Sequence, residues 1–143
     1  MNNKYEKLKL ENQLCFPLYA ASKEIVRHYK PFLDQLDMTY TQYITMMVMW
    51  EHKEVSVKEL GKHLYLDSGT LTPLLKTMEK KGWVERRRSK EDERVLIVTV
   101  TDAGEALKKK AVCIPEQMAG CVHLEPEEAA QLYRLLYKIL GNL

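Results

Sequence analysis

The stretch that decides the fold is LYLDSGTLTPLLKTMEKKG (64–82), followed by WVERRRSKEDERVLIVTV (83–100). The first part predicts a helix over 67–81, which Asp67 or Ser68 can cap by accepting from unpaired N–H groups. Its apolar residues recur at the i, i+3, i+4 and i+7 positions of one helix face: Leu71, Leu74, Leu75 and Met78. The outer face of this helix is left polar.

The second part predicts a β-hairpin. Strand-like runs over 83–87 and 95–100 flank a charged loop over 88–94. A helix with a polar outer face beside a basic hairpin is typical of a winged helix-turn-helix. The stretch therefore predicts a unit that reads DNA.

Two capping boxes mark the starts of two further helices before this stretch: Thr39 with Gln42, and Ser56 with Glu59. Only Tyr65 and Leu66 separate the second of these helices from the helix over 67–81. The pair predicts a helix-turn-helix, whose second helix enters the major groove. An ordinary helical hairpin would show the same periodicity, and the basic hairpin that follows favours DNA binding.

An amphipathic pattern also predicts a helix from residue 8 to about 30. Pro17 lies inside this pattern, so we expect a loosened turn there, because proline removes one N–H and crowds a carbonyl. Pro31 is expected to end the helix, which makes 31–37 a connecting piece.

Two more helices are predicted after the hairpin. Thr101 can cap one that runs from 102 to about 118 with a kink at Pro115, and Pro126 suits the first position of the last one. The last helix carries a wide apolar stripe: Leu132, Leu135, Leu136, Ile139, Leu140 and Leu143. The winged unit is too small to cover all the terminal helices, so we expect them to pack against each other and against a second copy.

The predicted fold class is therefore mainly α with a small β-hairpin wing (α+β). The length of 143 residues fits a single domain over 1–143. Within it, 39–100 form the winged helix-turn-helix, and 1–38 and 101–143 supply dimerisation helices. A two-fold homodimer would place two recognition helices about 34–36 Å apart, one turn of DNA.

Composition excludes several other classes of protein. No apolar run approaches the ~20 residues that span a bilayer, and the first residues lack the apolar region of a signal peptide. The sequence therefore predicts a cytoplasmic protein without a membrane partner. Three cysteines without an export signal argue against a disulfide framework. The histidines lack zinc-like pairing, so neither a metal nor a cofactor is predicted: His28, His52, His63 and His123.

The net charge of +2 does not by itself indicate nucleic acid, but its distribution does. Residues 76–94 carry eight basic and five acidic side chains, which makes this segment +3 and leaves −1 for the rest. The alternative is a solvated, charged hairpin. We expect DNA contacts from polar residues of the recognition helix and from basic residues of the hairpin: Ser68, Thr70, Thr72, Lys76, Arg86, Arg87 and Arg88.

Beyond these patterns, the chain resembles the MarR family of bacterial regulators, and in particular its branch that senses organic hydroperoxides. The resemblance covers essentially the whole chain. It rests on the hairpin's Asp92-Glu93-Arg94 and on five further motifs: LENQLCFPLYA (10–20), YKP (29–31), TYTQY (39–43), WEH (50–52) and LYLDSGTLTPLLK (64–76).

This resemblance implies a homodimeric repressor that leaves a pseudo-palindromic operator when an organic hydroperoxide oxidises Cys15. It implies that Tyr19, Tyr29 and Tyr40 surround this thiol, where a phenol O–H can hydrogen-bond the sulfur and favour the thiolate. Tyr19 follows Cys15 by one helical turn, whereas the other two must arrive through tertiary or dimer packing.

On the DNA side, the resemblance implies that Arg94 enters the minor groove and that Asp92 orients it. Without the resemblance, the same pair reads as a surface salt bridge of little energetic value.

The resemblance also leaves two routes for the oxidised thiol. In one route a low-molecular-weight thiol forms a mixed disulfide with it, and in the other a second cysteine closes a disulfide between subunits. Cys121 is the candidate resolving residue, because a predicted turn gives it reach. Cys113 is predicted to lie in mid-helix beside an apolar stripe, as inert packing.

Two other functions remain open. A thiol peroxidase would use Cys15 in turnover, but it would have no use for a basic hairpin, so we expect no enzyme and no catalytic residue. A repressor of the same fold could instead respond to a reversibly bound phenolic ligand, and it would still respond after Cys15→Ser.

Overall fold

The computed structural model describes residues 3–143, and these residues are mainly helical. Two 3-10 turns, Glu6–Leu8 and Leu10–Asn12, come first. The helices and strands follow in this order: α1 (Cys15–Asp34), α2 (Tyr40–His52), β1 (Glu54–Ser56), α3 (Val57–Leu64), α4 (Ser68–Lys80), β2 (Val84–Arg88), β3 (Leu96–Val100), α5 (Asp102–Ala106), α6 (Lys108–Ala111), α7 (Ile114–Ala119) and α8 (Pro126–Gly141). The fold class expected from the sequence is confirmed.

The strands form one antiparallel sheet in the order β1-β3-β2. Val98 of β3 lies opposite Val55 on one side and Arg86 on the other. Strand β1 is an addition to the predicted two-stranded hairpin. It has only three residues and pairs with a strand more than forty positions later. No local alternation of apolar and polar residues announces a strand of that kind.

The core of the winged unit lies between α2, α3, α4 and this sheet. Its side chains are almost fully excluded from solvent: Met46, Met49, Leu60, Leu71, Leu75, Met78, Val84 and Val98. Trp50 closes one edge, where its indole N–H donates to the carbonyl oxygen of Gly104 at 2.9 Å. A Cβ on Gly104 would lie 2.2 Å from the carbonyl oxygen of Trp83, so only glycine allows this approach.

Four predicted N-caps are present. Thr39 and Gln42 make both halves of a capping box at α2, and Ser56 makes its half of the box at α3 by accepting from the backbone N–H of Glu59 at 3.1 Å. Asp67 accepts from the backbone N–H of Thr70, and Thr101 from that of Gly104. Each cap depends on residues within one turn of the chain, which is why the sequence alone identifies it.

The N-terminal helix differs from its prediction at both ends. It begins at Cys15, so Pro17 lies in its first turn, where a missing N–H leaves no bond unmade, and no loosened turn arises. At the other end, Pro31 lies inside α1 instead of ending it. The helix runs on to Asp34 and buries Leu33 beyond the proline.

The single helix predicted over 102–118 is three short ones. Leu107 separates α5 from α6, and residues 112–113 separate α6 from α7. Pro115 falls in the first turn of α7 and so marks a helix start instead of a kink. Cys113 therefore lies in an exposed turn, and the prediction of a mid-helix packing residue is wrong.

The contacts within the chain divide it into two compact units, whereas the sequence suggests one domain. The first extends to Cys113 and contains the sheet and the helix-turn-helix. The second, Ile114–Leu143, contains α7 and α8. Among the described residues, no helix combines the length and the apolar character that crossing a bilayer requires.

Candidate nucleic-acid interface and thiol site

Helix α4 has one buried and one exposed face, as a recognition helix needs. Leu71, Leu75 and Met78 are at most 1% exposed. The opposite face carries Ser68, Thr70, Thr72 and Lys76, all of them exposed. The Thr72 hydroxyl donates to the Ser68 carbonyl oxygen at 2.8 Å, which leaves its lone pairs turned toward solvent.

The start of α4 is fixed by its cap. The backbone N–H of Thr70 donates to Asp67 Oδ1 at 2.7 Å. This bond, and a second from the Thr70 side chain, hold the pKa of Asp67 below its usual range. The cap is therefore ionised at neutral pH.

The turn between α3 and α4 holds the two helices close together. Tyr65 ends α3 with a φ of 55°, and the backbone N–H of Leu66 donates to the carbonyl oxygen of Gly61 at 3.1 Å. A Cβ on Gly61 would meet the carbonyl oxygen of Leu66 at 2.7 Å. The tight helix-turn-helix expected from the two-residue spacing is therefore present, and a glycine makes it possible.

The loop between β2 and β3 presents Arg94 to solvent. Its Nε donates to Asp92 Oδ1 at 3.1 Å, and its backbone N–H donates to the same oxygen at 3.0 Å. These bonds hold the pKa of Asp92 below its usual range. The Arg94 side chain nevertheless stays 91% exposed, so it is oriented by the loop and free to meet a ligand.

The three arginines of β2 are used differently. Arg86 is largely buried, and its backbone N–H donates to Glu79 Oε2 at 3.0 Å while its guanidinium pairs with the same carboxylate. Arg87 pairs with Glu54 of β1. Arg88 donates to the backbone oxygen of Glu93 at 3.4 Å, a weak contact at the base of the loop.

The pairing of Arg86 joins the recognition helix to the wing. Its hydrogen bonds hold the pKa of Glu79 below its usual range. The sequence alone does not indicate Glu79 and Glu54 as partners of Arg86 and Arg87. The Glu79 side chain is 39% exposed, and no local pattern in the sequence marks it as the partner of Arg86.

The Cys15 thiol is exposed at the first position of α1. Tyr19 follows by one turn of this helix and is 64% exposed. Tyr29 lies on the same helix, but about 21 Å further along the axis at 1.5 Å per residue. The structure thus brings Tyr19 near Cys15 within one chain and keeps Tyr29 apart from it.

Tyr29 and Tyr40 instead form a cluster with Tyr43 where α1 meets α2. The ring centroids of Tyr29 lie 4.9 Å from those of Tyr40 and 5.7 Å from those of Tyr43. Burial, followed by the other two phenols, raises the pKa of Tyr43 to about 12, and burial raises the pKa of Tyr29 and of Tyr40. All three phenols are therefore protonated hydrogen-bond donors at neutral pH.

The other two cysteines both lie outside helices. Cys121 is in the turn after α7, as expected, and is partly exposed; its Sγ lies 3.6 Å from the Gln117 carbonyl oxygen. Cys113 is exposed, with its Sγ 3.7 Å from the Lys110 carbonyl oxygen. The sequence favours Cys121 because a turn would make its thiol accessible. In the structure both thiols are accessible, so accessibility does not distinguish Cys121 from Cys113. Within residues 3–143, no group of histidine, cysteine and acidic side chains could hold a metal ion.

Comparison with known proteins identifies the family. Residues 27–111 match the model of the SarA/Rot transcriptional regulators. The chain is 50% identical over its full length, and over 97% of the relative, to the organic hydroperoxide resistance transcriptional regulator of Bacillus subtilis (strain 168). The resemblance drawn from the motifs is confirmed, and so is the interpretation as a regulator instead of an enzyme.

Solved structures agree. Overoxidised AbfR bound to DNA is 36% identical and superposes with a TM-score of 0.78 over 98% of both chains. A mutant MarR from E. coli in complex with operator DNA is 25% identical, with a TM-score of 0.79 over 97% of this chain and 99% of that one. The chain belongs to the SarA/Rot family of transcriptional regulators and has the winged helix-turn-helix fold of MarR.

Proposed function

We propose that this protein is a homodimeric repressor that is released from operator DNA when an organic hydroperoxide oxidises Cys15. The observation that carries the proposal is an exposed thiol, at the first position of α1, in a chain that also holds a complete DNA-reading unit. The relatives add support, since one is named for organic hydroperoxide resistance and another is described as overoxidised and bound to DNA.

The sensing chemistry is a two-electron oxidation of sulfur. The Cys15 thiolate attacks the outer oxygen of R–O–O–H, the O–O bond breaks, and RO⁻ takes up a proton to leave as the alcohol. The sulfur becomes a sulfenic acid. Phenol O–H groups near the sulfur assist twice, because they stabilise the thiolate and can hydrogen-bond the departing oxygen.

The distance along α1 supports a supply of these phenols from the partner subunit. Tyr29 lies about 21 Å from Cys15 along the same helix, far beyond hydrogen-bond reach. If Tyr29 and Tyr40 support the thiol, they must therefore belong to the partner subunit. Tyr19 is the phenol that the same chain can supply. Tyr43 packs against the rings of Tyr29 and Tyr40, so it would come from the same subunit as they do.

The DNA-binding surface follows from exposure. The face of α4 that carries Ser68, Thr70, Thr72 and Lys76 enters the major groove, where hydroxyls meet phosphates or base edges. Arg94, held by Asp92, enters the minor groove. Arg88 is the β2 arginine with the weakest internal contact, so it is the best placed to meet phosphate. Arg86 and Arg87 reach DNA only if they loosen their pairs with Glu79 and Glu54, and they contribute mainly to the shape of the wing.

The dimer supplies the second half-site. Three apolar side chains of α8 are two-fifths or more exposed in the single chain: Leu132, Leu135 and Ile139. A contiguous exposed apolar patch of this kind is typical of an interaction surface. A second copy that covers this stripe in a two-fold arrangement presents two recognition helices to a pseudo-palindromic duplex.

Release follows from resolution of the sulfenic acid. A second thiol attacks the sulfur, a disulfide forms and water leaves. We assign this thiol to Cys121 of the partner subunit, with a low-molecular-weight thiol as the substitute where Cys121 is absent. The new bond shifts the two reading units away from a spacing of one DNA turn, which half-site recognition does not tolerate.

The test uses a duplex that the reduced protein has enriched from a random library, called the selected duplex below. One equivalent of cumene hydroperoxide should oxidise Cys15, which mass spectrometry detects as one added oxygen before resolution and as a disulfide after it, and should release the duplex in fluorescence anisotropy. The Cys15→Ser protein should bind the duplex and stay bound. Release of that variant by peroxide would overturn the proposal, and its release by phenolic compounds alone would indicate a ligand sensor.

A further inference from the structure

Lys81 occupies the junction between the recognition helix and the wing. It is the C-terminal cap residue of α4, where its backbone N–H donates to the Thr77 carbonyl oxygen at 3.1 Å. Gly82 follows with a φ of 80°, and Trp83 then leads into β2. Any displacement of Lys81 therefore moves the end of the recognition helix and the start of the wing together.

The Lys81 ammonium makes its contacts within the chain. It donates to the backbone oxygen of Asp37, and it lies 3.4 Å from Asp37 Oδ2 and 3.5 Å from Gln42 Oε1. It also lies 4.7 Å from the ring centroid of Trp83. Three oxygens for its three N–H groups, with an aromatic face beside them, leave the ammonium fully engaged. Its side chain is only 26% exposed.

The oxygens that hold Lys81 belong to the corner between α1 and α2. Asp37 turns this corner with a φ of 54°. The same Gln42 oxygen that faces Lys81 accepts from the backbone N–H of Thr39 at 3.0 Å and so completes the cap of α2. Tyr40, which follows Thr39, is the first residue of α2 and belongs to the tyrosine cluster. The Lys81 ammonium thus joins the corner that carries this cluster to the end of the recognition helix.

We propose that Lys81 is a positioning residue that couples the α1–α2 corner, and with it the tyrosine cluster, to the junction of recognition helix and wing. The inference rests on the proposed function, in which the cluster supports the partner's Cys15, and it adds that oxidation of that thiol displaces the cluster. Apolar packing between α2 and α4 resists displacement without fixing direction. The Lys81 bridge is directional, because a shift of the corner pulls on one ammonium held by its own backbone to α4.

The alternative role for Lys81 is a contact to phosphate, as its place in the basic stretch suggests. Its neighbour Lys80 separates the two roles. Lys80 carries the same charge at the same end of α4 and is exposed. A general loss of positive charge should affect both lysines, whereas loss of the bridge should affect Lys81 alone.

The experiment compares Lys81→Met, which keeps the stem over the Trp83 ring, with Lys80→Met. For each protein, the Kd for the selected duplex is measured with the reduced dimer and with the fully oxidised dimer. The ratio of the oxidised Kd to the reduced Kd reports the coupling between Cys15 and the DNA-binding surface. We expect Lys81→Met to lower this ratio about fivefold or more, the scale of a typical coupling between sites. The rate at which Cys15 gains oxygen, and the salt dependence of reduced binding, should match those of the wild type.

Three results would overturn the inference. The first is a ratio equal to that of the wild type. The second is an equal loss of reduced affinity in both variants with a salt slope lower by about one, which would make Lys81 a phosphate contact. The third is a wild-type ratio near one, which would refute the proposed function as well. If Lys81→Met does not fold, Lys81→Gln takes its place with the same expectation, because it also lacks the charge and the reach.

Discussion

Cys15 and Tyr29 lie on the same helix, about 21 Å apart along its axis, while Tyr29 and Tyr40 lie with ring centroids 4.9 Å apart. The residues that the family resemblance assembles around one thiol are therefore split between the two ends of α1. A dimer in which the start of α1 meets the partner's α1–α2 corner would reunite them.

This arrangement predicts that the tyrosines act across the dimer. Tyr40→Phe should slow the oxidation of Cys15 about tenfold, the scale of one hydrogen bond to a charged group. Stopped-flow measurement with cumene hydroperoxide gives the rate. Tyr65→Phe, an exposed tyrosine in the helix-turn-helix, is the matched control and should leave the rate unchanged.

Mixed dimers decide between the two subunits. In a dimer of one Cys15→Ser chain and one Tyr40→Phe chain, the remaining thiol faces the intact Tyr40 of its partner. We expect the wild-type rate. A slow reaction in this mixed dimer would place the tyrosine beside the thiol of its own chain and contradict the arrangement.

A second prediction concerns the wing. Arg94→Ala should weaken binding of the selected duplex by about 1–3 kcal/mol. The reason is that the Arg94 side chain is 91% exposed and is already oriented by Asp92, so it can contact DNA directly. Lys109→Ala, a change at an exposed lysine of α6, is the control and should have little effect. Fluorescence anisotropy measures both. Equal losses would reduce Arg94 to one surface charge among many.

A third prediction is a pH dependence from the Glu79–Arg86 pair. The pKa of Glu79 is lowered in the folded protein by its hydrogen bonds to Arg86. The pair therefore stabilises the fold at neutral pH, and this stabilisation is lost as the pH falls through the lowered pKa. Thermal midpoints of the wild type should exceed those of Glu79→Gln at pH 7, and the gap should close in acid. A gap that stays constant with pH would assign the difference to packing.

Local signals made much of the fold predictable. The caps at Thr39, Asp67 and Thr101 and the apolar face of α4 each depend on residues within a few positions, and all are present. Strand β1 was not predicted, because it is defined by its pairing with β3, more than forty positions later in the chain. Proline was misjudged for a related reason: its effect depends on where the helix starts, which neither Pro17 nor Pro115 reveals by itself.

The site was less predictable than the fold. Motifs identify Cys15, Tyr29 and Tyr40, but only the length of an uninterrupted α1 shows that they cannot meet within one chain. Arg86 and Lys81 count as surface charges in the sequence. Arg86 pairs with Glu79 in the last turn of α4, and Lys81 pairs with Asp37, more than forty positions earlier in the chain. Both pairings become visible only when the chain is folded.

The dimer gives a fourth prediction. Leu135→Glu together with Ile139→Glu places two carboxylates on the exposed apolar face of α8, where an interface would have to bury them without partners. Sedimentation should show monomers or aggregates, and binding of the selected duplex should be lost. Glu127→Gln with Glu128→Gln, in the first turn of the same helix, is the control. A folded monomer that binds the duplex tightly would refute the two-fold assembly.

The last prediction concerns which thiol resolves the oxidised Cys15. Cys113 and Cys121 are both accessible and both near one carbonyl oxygen, so their surroundings do not choose between them. We expect Cys121 to be the partner, since it lies in the longer connection, between α7 and α8, where the chain can move toward an opposite subunit. Peroxide should then give a disulfide-linked dimer on non-reducing gels with Cys113→Ser but not with Cys121→Ser, and the latter should need an added low-molecular-weight thiol to leave DNA reversibly. The reverse pattern would transfer the role to Cys113. A linked dimer in both variants would mean that either thiol can serve or that the link joins the two Cys15 residues.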